Sequence, residues 1–270
     1  MSWDYTEALL TVEERIATLT LNRPEKLNAF TPKMEDDIRA AIKEINSRED
    51  IGVVVVTGAG RGFSSGADVV AWDAGLESGE QQESDAITSW RRNEARHSMP
   101  LGLHELRQPV IAAVNGAAVG MGMDFALGAD MRVAGESAKF GMFYIKRGMV
   151  PDEGGAWFLP RLVGAAKAFE IILTGELFDG REAERIGLVN YCVPDAELMD
   201  KTMELAEKIA AGPPMAVELA KRAIRESANV DLRNHFDAIG YYMSLIGRTG
   251  DVAEGMRAFM ERREPNFTSR

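Results

Sequence analysis

The hydrophobic positions of the chain change period along its length. Residues 16–21 (IATLTL) alternate and predict a strand, closed by Asn22-Arg23-Pro24. Residues 31–46 predict a helix. Thr31 is placed to cap it, Pro32 sits at its first position, and Met34, Ile38, Ala41, Ile42 and Ile45 fall on one face. The runs 53–57 (VVVVT) and 110–114 (VIAAV) do not alternate; they predict strands buried on both faces. The glycine-rich stretch 58–66 (GAGRGFSSG) reads as a loop. Residues 71–90 are polar and read as a surface segment leading into a helix near 88–107, interrupted by Pro100 and Gly102. A helix is expected over 123–127, short strands near 131–134 and 138–140, and a helix over 156–173 after loop 148–155.

From Pro194 onward the pattern is helical: 195–211, 214–227, 231–246 and 251–262. Strands alternate with helices before that point, so the first part predicts an α/β unit with a mainly parallel sheet. The boundary falls at 195/196, with a core over 1–195 and a helical region over 196–270 whose apolar faces need a partner surface.

Composition narrows the function classes. The 31 Lys+Arg against 42 Asp+Glu give a net charge of −11, which disfavours nucleic acid as a partner. No uninterrupted apolar run approaches the roughly 18 residues of a spanning helix, so no membrane association is expected. The acidic N-terminal stretch is not read as a secretory signal. One cysteine, Cys192, and three separated histidines, His97, His104 and His235, leave no metal site to expect. A reduced, cytoplasmic setting follows as the expectation.

Two motifs are discounted. Gly58-Ala59-Gly60 follows a strand, but Phe63 stands where a dinucleotide loop needs its third glycine. Gly62-Phe63-Ser64-Ser65-Gly66 matches a nucleophile elbow around Ser64, yet residues 58–61 separate it from the strand and no clear helix follows. His104 and His235 read as structural.

A third constellation carries chemistry. Loops 64–68 (SSGAD) and 115–122 (NGAAVGMG) follow successive buried strands, so they converge at the carboxyl edge of a parallel sheet. Amide N–H groups from two such loops can form an oxyanion hole, the second at a helix N-terminus. Asp124, Asp152 and Glu153 lie beside these loops. An oxyanion hole next to a carboxylate suits removal of a proton α to a thioester or similar carbonyl.

The sequence resembles the enoyl-CoA hydratase/isomerase (crotonase) superfamily through NRPEKLNAF (22–30), VVVVTGAGRGFSSGADV (53–69), QPVIAAVNGAAVGMGMDFALGADMRVA (108–134), AKFGMFYIKRGMVPDEGGAWFLPRLVG (138–164), LTGELFDGREAERIGLVNYCV (173–193) and EGMRAFMERREPNF (254–267). The resemblance implies a spiral of ββα turns with a C-terminal helical trimerisation region, a homotrimer or homohexamer, and an acyl-CoA thioester as substrate. No cofactor is implied beyond the coenzyme A of the substrate. It places the oxyanion amides on Ala67 and Met121, and the CoA-lining strip on Lys26, Leu27 and Ala29. Ser65, Asp68 and Val69 fall beside the substrate, and Arg262, with Arg263, near the CoA phosphates.

The departures from the pattern set the expected chemistry. Hydratases of this family use two glutamates on one water; here the positions hold Asp124 and Tyr144. A phenol with an ordinary pKa of about 10 is a poor base. Asp152, in its Pro151-Asp152 context, resembles the acid of the isomerase branch. The expected reaction is a double-bond shift or hydration through an enolate, with Asp152 as base and Asp124 assisting. The alternatives are an acyl-CoA hydrolase or dehalogenase using Asp152 as nucleophile, with His97 in attendance, and a non-catalytic acyl-CoA-binding homologue.

Overall fold

The computed structural model describes residues 5–68 and 98–268. Its main sheet begins with a hairpin of β1 (Ala8–Glu13) and β2 (Ile16–Leu21). Glu14 and Arg15 make the turn at φ 44° and 70°. β1 was not expected from the pattern. Helix α1 (Pro32–Ser47) follows, with the Thr31 hydroxyl accepting from Met34 N. Next come β3 (Val53–Gly58), β4 (Gly62–Ser64) and helix α2 (Ser98–Glu105). Then follow β5 (Val110–Val114), β6 (Ala117–Val119), helix α3 (Met121–Leu127), β7 (Met131–Gly135) and β8 (Lys139–Gly141). The last elements are helix α4 (Gly155–Thr174), β9 (Phe178–Asp179), α5 (Gly180–Arg185), β10 (Tyr191–Val193) and helices α6 (Leu198–Ala210), α7 (Pro214–Ser227), α8 (Leu232–Ile246) and α9 (Asp251–Glu261).

The strands form two sheets. The larger runs β1-β2-β3-β5-β7-β10, parallel throughout except at β1–β2. The smaller runs β4-β6-β8-β9, with β4, β6 and β8 parallel. β3 and β5 are non-alternating because both sheet faces are covered. Val54, Val56, Val110, Ala112 and Val114 join the main core; Val53, Val55, Ile111 and Ala113 face a second one. Each of the valine and isoleucine side chains contributes roughly 1.5–3 kcal/mol on burial, whichever face it takes.

Three expectations change. The stretches 58–66 and 115–122 are not continuous loops: each contains a three-residue strand, and these pair with each other. Helix 156–173 is interrupted, since Gly164 stands at φ 77°, ψ 160° inside α4. Of the helix expected over 88–107, Ser98–Glu105 is seen, with Pro100 and Gly102 inside it, and 88–97 lies outside the described residues.

α6 packs on the larger sheet. Its Leu198 and Ala206 pack into the second cluster against Val53, Val55 and Ile111. α7 is tied to the strand layer by ion pairs of Lys221 and Arg225 with Asp130. Among the described helices, none is long and apolar enough to cross a membrane.

Candidate active site

The small sheet positions the site. β4, β6 and β8 run side by side in parallel, and Ala67, Met121 and Tyr144 each follow the carboxyl end of one of them by two or three residues. All three line one cavity of about 40 Å³, together with Ser65, Arg147 and Asp152. That volume exceeds the 10–15 Å³ or so a single water needs, enough for an oxygen and its immediate neighbours.

The backbone leaves the Ala67 and Met121 amides available. Phe30 bridges to Ala67 through the Gly66 carbonyl and the Asp68 N–H, which turns the Ala67 N–H away from that strip. Met121 occupies the first position of α3, where the N–H has no intrahelical acceptor and the helix dipole is positive. Two glycines let these segments meet. A Cβ at Gly66, whose φ is +90°, would stand 2.8 Å from Val119 O and 3.5 Å from Met121 N. A Cβ at Gly122 would stand 2.4 Å from Ser64 O. Phe30, Phe63 and Phe125 lock the arrangement from beneath, with ring centroids 5.5 Å and 6.5 Å apart.

Asp124 does not reach the cavity. It is fully buried in α3, and its Oδ2 accepts a 2.5 Å hydrogen bond from the Tyr144 hydroxyl. Burial pushes its carboxyl up to about 7; the Tyr144 hydrogen bond opposes that and the Asp152 charge adds to it. Tyr144 is itself buried, and burial together with the adjoining Asp124 charge holds its phenol far above the ordinary value. A Cβ at Gly155 would stand 2.2 Å from Asp124 Oδ1, so the glycine lets α4 begin against this pair.

Asp152 and Glu153 arrive from the other side, in the turn before α4. Asp152 is exposed and Glu153 buried. Asp152 does not cap the helix: Gly154 holds that position at φ 101°, with no side-chain cap bond. Both carboxylates also line a second cavity of about 330 Å³, whose other walls are Pro100, Leu101, His104, Gly154, Trp157 and Phe158. His104 was expected to be structural; burial and the Arg225 charge lower its pKa to about 4.

A family model described as enoyl-CoA hydratase/isomerase matches residues 11–270. The chain belongs to the enoyl-CoA hydratase/isomerase family. It is 36% identical over 261 residues to the 1,2-epoxyphenylacetyl-CoA isomerase of Escherichia coli, covering 96% of this chain and 97% of that protein. The crystal structure of an enoyl-CoA hydratase from Bacillus anthracis superposes with a TM-score of 0.89 at 32% identity, covering 98% and 100% of the two chains. That of an enoyl-CoA hydratase from Mycobacterium tuberculosis gives 0.85 at 31%, covering 98% and 99%. The chain is thus an enzyme of the hydratase/isomerase type with the crotonase fold.

The remaining residues singled out from the family pattern divide into three groups. Lys26, Leu27 and Ala29 are stitched to the Ala67 segment: Ser65 N donates to Leu27 O, Ser65 Oγ to Lys26 O, and Arg23 bonds both Ala29 O and Asp68. Arg262 and Arg263 follow α9 and line neither cavity; Arg263 pairs with Glu254 and Glu261. Val69 and His97 lie outside the described residues.

Ser64 is not a nucleophile. It is buried in β4, donates to Asn28 O and accepts from Gly66 N. His235 lies on α8 and lines neither cavity. The residues that sequence reasoning missed are Arg147 and Met149 in the first cavity and His104, Trp157 and Phe158 in the second. Among the described residues, no group of three or more His, Cys, Asp or Glu side chains could hold a metal ion.

Proposed function

We propose that the enzyme shifts the double bond of an enoyl-CoA thioester, with Asp152 relaying the proton. The thioester carbonyl oxygen sits between the Ala67 and Met121 amides, and the adenosine end lies toward the Lys26–Ala29 strip and a neighbouring subunit's Arg262. Asp152 takes the α proton of a 3-enoyl thioester. The electron pair moves into a dienolate whose charge rests on the carbonyl oxygen, and the same carboxyl returns the proton at the γ carbon. The product is the 2-enoyl thioester, with no co-reactant consumed.

One observation carries this choice: Asp124 is bonded to Tyr144 and buried behind it. The two positions that would hold a water in a two-glutamate hydratase are instead bonded to each other through the Tyr144 hydroxyl and Asp124 Oδ2, which leaves Asp152 as the exposed carboxylate beside the amides. Hydration is the second reading, favoured by Asp152 and Glu153 lining one cavity that has room for a water. The test is turnover of trans-3- and trans-2-enoyl-CoA by the wild type and Asp152→Asn. The expected result is isomerisation of the 3-enoyl thioester that Asp152→Asn abolishes. Hydration of the 2-enoyl thioester at a rate indifferent to Asp152 would overturn it.

The assembly proposed with this activity is a homotrimer or homohexamer built by the C-terminal helices. Ile224 on α7, Leu232, Phe236 and Tyr241 on α8, and Met256, Phe259 and Met260 on α9 are exposed in the single chain. Apolar surface of that extent marks an interaction face. An acidic chain with one cysteine suits the cytoplasm as its setting.

A further inference from the structure

The second cavity has its own chemistry. Its polar groups, Asp152 and Glu153, stand at the end shared with the amide-lined cavity. The opposite wall is a set of three rings. His104 meets Trp157 at 5.5 Å and 76° and Phe158 at 5.3 Å and 68°, while Trp157 meets Phe158 at 5.0 Å and 87°. All three contacts are edge-to-face, the geometry aromatic quadrupoles favour. The wall is braced from outside: Arg161 stands 3.9 Å over the Trp157 ring and bonds Trp157 O at 2.9 Å. Trp157 is 38% exposed even so, leaving ring surface for an occupant.

Size points the same way. About 330 Å³ is at the small end of ligand cavities, which run from roughly 300 to 1,000 Å³. A compact ring fits it better than an extended chain. A neutral imidazole completes an apolar lining, since His104 carries no charge near neutral pH.

We propose that this cavity receives a planar aromatic ring on the acyl group, and that Trp157 and His104 set the preference for aryl-substituted over linear enoyl thioesters. The proposal rests on the proton-relay reading above, because it seats the reacting carbons beside Asp152 and sends the rest of the acyl group past it. The ring then adds a fourth member to the edge-to-face set. One such pairing typically changes kcat/KM by roughly 2- to 12-fold beyond the effect of buried area.

The experiment compares trans-3-enoyl-CoA thioesters of equal carbon number that end in a phenyl ring, a cyclohexyl ring or a linear chain. The wild type is expected to favour phenyl over linear by at least that factor, with cyclohexyl between. Trp157→Leu should bring the phenyl-to-linear ratio towards one, and Trp157→Phe should restore part of it. Should Trp157→Leu fail to fold, the wild-type ranking alone decides. A linear thioester turned over as well as the phenyl one, or a ratio indifferent to Trp157→Leu, overturns the aryl preference and leaves the proton relay standing. No turnover of any of the three overturns both.

Discussion

The Tyr144 hydroxyl and the Asp124 carboxylate form a closed pair at 2.5 Å, with Asp124 fully buried. Burial favours the protonated form of Asp124 and pushes its carboxyl up to about 7 against an ordinary value of 3.8; the Asp152 charge adds to this and the Tyr144 hydrogen bond opposes it. An acid with a raised folded-state pKa lowers stability as pH rises from its unfolded to its folded value, because the native state then binds more protons than the unfolded one. Asp124→Asn removes that term. It is expected to stabilise the fold at pH 8 by on the order of 2–4 kcal/mol. The gain should shrink as pH falls towards 4. Urea midpoints of both proteins across that range would show it, and a pH-independent difference would contradict it.

Asp152 is exposed, and it lines both cavities. Asp152→Asn should keep the fold and substrate binding but lose about 10²–10⁴ in kcat. Steady-state kinetics on a 3-enoyl thioester separates this from a binding defect, which would raise KM instead.

The amide pair can be disturbed only through the backbone. Gly66→Ala forces a Cβ to 2.8 Å from Val119 O at a φ of +90°. Its expected effect is a loss of roughly 1–3 kcal/mol in stability from strain. Displacement of the Ala67 amide should also lower kcat by about 10²–10³. Melting curves and single-turnover rates read the two effects separately. Unchanged turnover in a folded Gly66→Ala variant would show that the Ala67 amide takes no part.

Phe259 on α9 is 82% exposed in the single chain. If the helical tail builds the assembly, Phe259→Asp should weaken subunit association by tenfold or more, as loss of a central anchor typically does. Sedimentation of wild type and variant across micromolar concentrations measures it. A wild type that sediments as a monomer would remove the assembly.

Much of the larger sheet was legible because its cause is local. The runs 53–57 and 110–114 are continuous because each strand feeds two cores at once, and Thr31-Pro32 announces α1 at its first turn. β1 escaped notice because the turn that follows it, Glu14-Arg15, takes left-handed φ without glycine or asparagine. β4 and β6 escaped because three residues cannot show a period; tertiary pairing makes them strands. The two glycine loops after successive strands were legible as converging segments; the resemblance to the family, not the loop pattern, singled out Ala67 and Met121 within them. Asp124 was placed in the right helix, but no local pattern says that Tyr144 stands between it and the cavity. His104 and Trp157 are far apart in sequence and meet only because α2 and α4 pack together.

Because the two amides proposed to hold the carbonyl oxygen follow β4 and β6, which pair in parallel, that half of the proposed apparatus is made of main chain and does not depend on which side chains occupy positions 67 and 121. Residues around it can be exchanged for new acyl groups or a new proton path without dismantling that half. On that proposal, a scaffold of this kind acquires another reaction in small steps, since each intermediate variant keeps both main-chain donors.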